Sequence, residues 1–96
     1  MNTTKREYYE IKSPCDRYGL GGTFESEEKA LEEINYTYRR ALERGYDNRN
    51  EKWVIVCVQT TIIRNDKNEF LKEETIRFVT QTAEFSEYEN AYVFVC

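Results

Sequence analysis

Apolar and polar positions alternate most clearly along two neighbouring stretches in the second half of the chain. The first, Trp53–Arg64, is rich in Val, Ile and Thr, whose branched Cβ atoms suit a pleated strand. At about 3.3 Å per residue, this stretch would span about 40 Å. Turn-forming residues occupy 65–69, and a second alternating stretch follows at 70–81. The pattern predicts a long antiparallel β-hairpin over residues 53–81.

Closing this hairpin around Lys67 predicts which residues lie opposite each other and which face packs on the core. The predicted pairs are Arg64 with Phe70, Val58 with Ile76, Val56 with Phe78, and Cys57 with Arg77. The predicted helix-facing residues are Val54, Val56, Val58, Ile76 and Phe78. The other face would stay open and would carry Trp53, Ile55, Leu71 and Val79.

One segment has the apolar spacing of a helix, at residues 27–44, with Ser26 as its N-cap and Gly45 as its end. Strands are predicted at residues 6–12, 20–24 and 91–96. Residues 1–5 are expected to lack regular structure, and residues 82–90 to be irregular or one helical turn. The sequence therefore predicts a single domain, 1–96, of the α+β class with order ββαβββ. Its antiparallel β-sheet has one long α-helix packed on one face.

Composition argues against most catalytic chemistry. The 96 residues include no histidine, so the commonest general base is missing. The three cysteines, Cys15, Cys57 and Cys96, form no CxxC pair that would bind zinc. Paired carboxylates are frequent, but on helix and strand surfaces they are ordinarily solvated. We therefore expect no enzyme, no catalytic residues, no metal site and no cofactor.

Charge and hydropathy bear on the partners and the location. The formal net charge of −4 argues against direct nucleic-acid binding, which needs a basic surface. No apolar run approaches the roughly 20 residues that span a bilayer. An odd number of cysteines without a preceding signal peptide favours reduced thiols in the cytoplasm. We expect a cytoplasmic protein that contacts neither nucleic acid nor membrane.

Two clusters could bind an anionic ligand. Glycines in the loop at residues 15–22 allow close backbone approach to an anion, although a simple glycine-rich turn is the favoured explanation for them. Arginines gather near the helix end, where pairing with the helix dipole is the alternative explanation. Arginine and tyrosine together suit a small nucleotide, through phosphate contact and stacking. The candidate ligand-binding residues are Arg17, Tyr18, Gly21, Gly22, Arg39, Arg49 and Arg77.

The histidine-free, Lys-, Glu-, Asn-, Tyr- and Ile-rich composition resembles that of proteins from phages of low-GC bacteria. Two strands, a helix after Thr-Phe-Glu-Ser-Glu-Glu-Lys-Ala-Leu, and the hairpin at 53–81 are similar in order to the first family of Thoeris anti-defence proteins. This resemblance covers residues 6–81 and is one of layout. It implies a non-enzymatic oligomer in the bacterial host cell that sequesters a cyclic ADP-ribose-type or cyclic oligonucleotide immune signal.

Two other functions fit the same residues. An anti-CRISPR-type inhibitor would bind a CRISPR effector protein through an acidic surface, and a structural or regulatory subunit would need no ligand. The apolar residues of the predicted open sheet face favour a homo-oligomer in which that face is covered.

Overall fold

A computed structural model describes residues 1–13 and 19–95 of the chain. The predicted α+β fold with order ββαβββ is confirmed. The elements are β1 (Asn2–Lys12), β2 (Gly19–Phe24), α1 (Glu27–Glu43), β3 (Trp53–Arg64), β4 (Phe70–Ser86) and β5 (Ala91–Val95). Within the described ranges, no helix is long and apolar enough to cross a membrane.

The strands form one antiparallel sheet in the spatial order β2-β1-β3-β4-β5. The β3–β4 hairpin is central, as predicted, and β1 pairs with β3 along its whole length, from Asn2 opposite Arg64 to Lys12 opposite Val54. The expectation that residues 1–5 lack regular structure is therefore wrong. These polar residues form a strand because β3 is long enough to pair with them.

The helix begins where the sequence predicts. The hydroxyl of Ser26 accepts a hydrogen bond from the backbone N–H of Lys29 at 3.1 Å, which satisfies one of the free amides of the first turn. The helix ends one residue before the predicted boundary, at Glu43. Gly45 follows with a φ of 88°, a left-handed conformation that glycine adopts without steric cost.

The register of the β3–β4 hairpin differs from the predicted one. Arg64 lies opposite Phe70, as predicted, but the other three predicted pairs are wrong by one residue, so that Val58 lies opposite Arg77. The shift arises at a β-bulge beside the turn, where Leu71 has no partner on β3. One inserted residue is enough to exchange the faces of the following positions on β4, from Lys72 to Val79, until a second bulge at Thr80 restores the original relation.

The face of β3 that packs against α1 is also the opposite of the predicted one. Trp53 and Ile55 are buried in the core, whereas Val54 and Val56 are only half-buried. Alternation places these two valines on the sheet face away from α1, here called the outer face. Both faces of this half of β3 are apolar, so the pattern alone did not decide between them. Ile11 of β1, opposite Ile55, completes the face that α1 covers.

The core lies between α1 and the half of the sheet nearest β5. In it, the ring of Tyr38 packs against those of Phe85 and Tyr92 at centroid distances of 5.0 and 5.7 Å. Phe85 belongs to β4, which continues to Ser86, so the prediction of an irregular segment or helical turn is wrong for residues 82–86, whereas residues 87–90 form a turn. Aromatic packing there outweighs the acidic composition. The buried cluster comprises Ile11, Ala30, Ile34, Tyr38, Trp53, Ile55, Ala83 and Tyr92.

The other half of the sheet extends beyond α1 as an arm. We define the arm as residues 2–8 of β1, 58–64 of β3 and 70–79 of β4. A helix of 17 residues is about 25 Å long, whereas the twelve residues of β3 span about 40 Å, so one helix leaves much of the sheet uncovered. The molecule is accordingly elongated, with extents of 56 × 28 × 22 Å.

Candidate functional site

The outer face of the sheet holds an open groove of about 430 Å³ beside the end of β1. Val54 and Val56 of β3 and Val79 of β4 provide its apolar surface. Lys12 on β1 and Arg77 on β4 contribute a cation from each side of β3. This volume lies within the range typical of small-molecule sites. The remaining lining residues are Ser13 and Phe78.

Strand pairing assembles the groove from three separate parts of the sequence. Lys12 lies opposite Val54, and Val56 lies opposite Val79. Residues directly opposite each other in an antiparallel pair share a face, so all four side chains belong to the outer face. Arg77 joins them because it lies opposite Val58, two residues along the same face of β3.

The charge of Arg77 is shared with a neighbouring carboxylate. One terminal nitrogen of Arg77 donates to Oε1 of Glu10, which reaches across β3 from β1. The Arg77 side chain remains 52% exposed and that of Glu10 20%. A guanidinium carries five N–H donors, so this contact leaves others that an anion could accept from. Any anion in the groove would nevertheless meet the repulsion of Glu10.

Arg39, another predicted ligand residue, lies elsewhere. It is exposed on α1, where it lines a shallow depression together with Tyr36 and Phe24. Lys29, Glu32 and Glu33 line the same depression, so the two carboxylates there offset the charges of Arg39 and Lys29. Because α1 covers one face of the sheet and Arg77 lies on the other, the structure separates Arg39 from Arg77.

Arg49 is engaged within the protein. Its Nε donates to Asp47 at 2.9 Å, and its Nη1 lies 3.3 Å from a carboxylate oxygen of Glu87. Its guanidinium also lies 5.1 Å from the ring centroid of Phe85. The hydrogen bond from Arg49 lowers the pKa of Asp47, and Asp47 raises that of Arg49. These contacts join the α1–β3 loop to the β4–β5 turn.

Only part of the predicted glycine-rich loop at residues 15–22 lies within the described structure. Gly21 and Gly22 belong to β2, and Gly22 has a φ of 98° that disfavours any side chain. Arg17 and Tyr18 lie outside the described residues. The five predicted ligand residues that the structure describes do not form one cluster, and of these five only Arg77 lines the groove.

Glu10 and Lys12 were missed as site residues, although the sequence contained a signal for them. A strand is predicted at residues 6–12, and alternation along it places Glu10 and Lys12 on the same face. Val54 and Val56 were missed because they were assigned to the core. The error in the β3 face therefore concealed the groove.

Two observations on the described residues concern the thiol of Cys57 and the grouping of possible metal ligands. Cys57 is buried, and its burial and the nearby charge of Glu7 raise the pKa of its thiol. A raised pKa favours the neutral thiol over the nucleophilic thiolate. Among residues 1–13 and 19–95, no group of three His, Cys, Asp or Glu side chains is placed to hold a metal ion.

Comparison with known proteins adds no relative. No family model, no curated protein and no solved structure matches this chain. The case for a function therefore depends on the residues and geometry described above.

Proposed function

We propose that this chain is a non-catalytic binding protein, and that the outer-face groove takes a small phosphorylated ligand of the cyclic nucleotide class. The observation that supports this most is the pairing of an apolar surface with a cation on each side. Valines there would contact the base or sugar carbons, while Lys12 and Arg77 would contact phosphate oxygens.

Binding without turnover is consistent with the groups that line the groove. The lining consists of valines, Phe78, a serine and two cations. Such groups hold a ligand through apolar contact and charge. A charge-assisted hydrogen bond contributes about 1.5–3 kcal/mol, so two of them with an apolar contact provide useful affinity. Sequestration of an immune signal, the role implied by the Thoeris anti-defence resemblance, requires binding of this kind.

The test is calorimetry with cyclic ADP-ribose and a cyclic dinucleotide as probes. We expect one of them to bind the wild-type protein and to be recovered unchanged after denaturation. Arg77→Gln should weaken binding at least about tenfold, since one lost charge-assisted contact exceeds 1.4 kcal/mol. Recovery of a cleaved product would show instead that the protein is an enzyme.

Two further variants locate the site. Glu10→Gln removes the carboxylate that competes for Arg77, so it should bind the anion at least as tightly as the wild type. Arg39→Gln, an exposed arginine on the opposite side of the sheet, is the matched control and should bind like the wild type. Weakening by Arg39→Gln alone would move the site to α1 and contradict the groove assignment.

A second candidate function is inhibition of an effector protein, such as a CRISPR effector, by direct contact. The observation in its favour is the exposed apolar surface of the arm, where Phe70, Leu71 and Ile76 are each more than half exposed. Stoichiometric co-purification with an effector, together with no heat from either nucleotide, would support this function over the first.

A further inference from the structure

One edge of the arm is formed by β4, which is unpaired on its outer side and carries many exposed apolar residues. β5 pairs only with Thr82–Ser86 of β4, so in the described structure the preceding part of β4 has β3 on one side and no strand on the other. All ten residues from Phe70 to Val79 are exposed. Five of them are large and apolar, with 43–57% of their surface exposed: Phe70, Leu71, Ile76, Phe78 and Val79.

The other edges of the sheet are better protected. The arm portion of β1 reads Asn-Thr-Thr-Lys-Arg-Glu over residues 2–7 and presents polar and charged side chains. On β5, the side-chain amide of Asn35 bonds to both the N–H and the C=O of Tyr92. Natural sheets protect their edges by such means because an open edge pairs with other chains. The β4 edge of the arm also carries charged side chains at Lys72, Glu73, Glu74 and Arg77, but it alternates them with exposed large apolar residues that the β1 edge does not have.

We propose that this edge pairs with the same edge of a second copy of the chain, antiparallel and centred on Thr75. The result would be a two-fold dimer in which the two arms form one continuous six-stranded sheet. Such an interface is limited to two copies, because each copy uses its one open β4 edge and leaves none to which a third copy could add. This proposal does not depend on the nucleotide ligand.

The order of charges along β4 favours a second copy as the occupant. Glu73, Thr75 and Arg77 lie opposite Ile62, Thr60 and Val58, and therefore share the outer face. A two-fold axis perpendicular to the sheet at Thr75 places Glu73 opposite Arg77 of the second copy. Symmetry repeats the contact, so two cross-strand pairs of opposite charge form in the same dimer.

Neighbouring registers that keep the two faces aligned are less favourable. Centring the pair on Glu74 places this carboxylate opposite its own copy, and like charges directly opposite each other are destabilising. Centring it on Ile76 places Glu73 opposite Val79 and leaves Arg77 without a carboxylate across the new edge. Thr75 is the centre of these three that matches both charges.

The bulges of β4 set the length of the pairing. Leu71 and Thr80 are the two positions at which β4 carries an extra residue against β3. The regular segment between them has eight residues, about 25 Å of strand, and its middle falls next to Thr75. The segment available for pairing is thus nearly symmetric about the proposed axis.

The experiment is a sedimentation analysis of the full chain and of two charge variants. We expect the wild type to dimerise at micromolar concentration. Glu73→Arg places two arginines opposite each other, and Arg77→Glu places two glutamates opposite each other. Because symmetry counts each change twice, each variant alone should raise the dissociation constant of the dimer at least about tenfold.

Mixing the two variants provides the decisive measurement. In a mixed dimer, the arginines of one copy face the glutamates of the other, so both opposite-charge pairs are restored. We expect the mixture to form heterodimers with close to wild-type affinity, although neither variant forms a stable homodimer. Circular dichroism of each variant checks that the fold is retained.

Glu32→Arg, which makes the same change of charge on the exposed side of α1, is the control and should dimerise like the wild type. A wild type that remains monomeric at high concentration would overturn the proposal and leave the β4 edge available to a different protein. If both charge variants dimerise with the dissociation constant of the wild type, or if their mixture fails to form heterodimers, the Thr75-centred pairing is wrong.

Discussion

Tyr92 shows how a single side chain joins the helix, the sheet and a loop. Its hydroxyl donates to the backbone carbonyl of Asn48 at 2.6 Å, and its ring packs edge-on against Tyr38 and Phe85. The residue is 1% exposed. Burial, which disfavours the charged phenolate, raises the pKa of Tyr92 to about 12.

This pKa predicts a change of stability at high pH. A raised pKa means that the folded state holds the Tyr92 proton more tightly than the unfolded state does. The stability that this proton contributes is therefore fully present below pH 10.0, the ordinary pKa of tyrosine, and is lost as pH rises toward about 12. Between these limits, the free energy of unfolding should fall by up to about 1.4 kcal/mol per pH unit from this residue.

Tyr92→Phe tests the effect, since the variant differs from the wild type only by the phenolic hydroxyl of Tyr92. At neutral pH, the variant should be about 1 kcal/mol less stable because it lacks the bond to Asn48. Urea denaturation at pH 8 and pH 11 should show this difference shrinking at the higher pH. A constant difference would mean that Tyr92 titrates normally.

At the scale of elements, α1 replaces a neighbouring strand at one edge of the sheet. Asn35 donates from Nδ2 to the carbonyl of Tyr92 at 3.1 Å, and its Oδ1 accepts from the Tyr92 N–H at 2.7 Å. The side-chain amide thus satisfies the donor and the acceptor that a sixth strand would otherwise satisfy. It also fixes the position of the helix along β5.

Asn35→Ala should therefore cost more than an ordinary surface substitution. Both backbone groups of Tyr92 are part-buried, and leaving them unsatisfied should lower the free energy of unfolding by about 1–3 kcal/mol. Asn50→Ala, at an exposed loop position, is the control and should stay within about 0.5 kcal/mol of the wild type. Equal effects in urea denaturation would show that the Asn35 contacts do not stabilise the docking of the helix.

At the scale of the whole molecule, the sheet has a covered half and an uncovered half. Along β3, Trp53, Ile55, Cys57 and Val58 are buried, and no residue after Val58 is buried in this strand. The arm is thus held mainly by strand pairing. Regions with few buried apolar contacts open locally at lower free energy than the core does.

Hydrogen exchange should reveal this difference. In dilute solution, backbone amides of residues 72–79 should exchange much faster than those of residues 82–86 in the same strand, because only the latter lie between two strands. Mass spectrometry of peptides from β4 compares the two segments within one sample. Uniform protection along β4 in the dilute monomer would contradict the predicted gradient.

Local patterns in the sequence determined the elements of this protein. Branched and aromatic residues predicted the hairpin at 53–81, and Ser26 and Gly45 predicted the limits of the helix closely. These signals act over a few residues, since caps, turns and strand alternation depend on nearby backbone geometry. The order ββαβββ and the α+β class followed from them.

Tertiary structure decided which face of the sheet became the core. Both faces of β3 near Trp53 are apolar, so only the packing of α1, Ile11 and Tyr92 selected the one with Trp53 and Ile55. A one-residue bulge at Leu71 then set which side of β4 carries Arg77. The groove depends on both outcomes, because its residues come from three strands that are distant in sequence and are brought together only by their pairing.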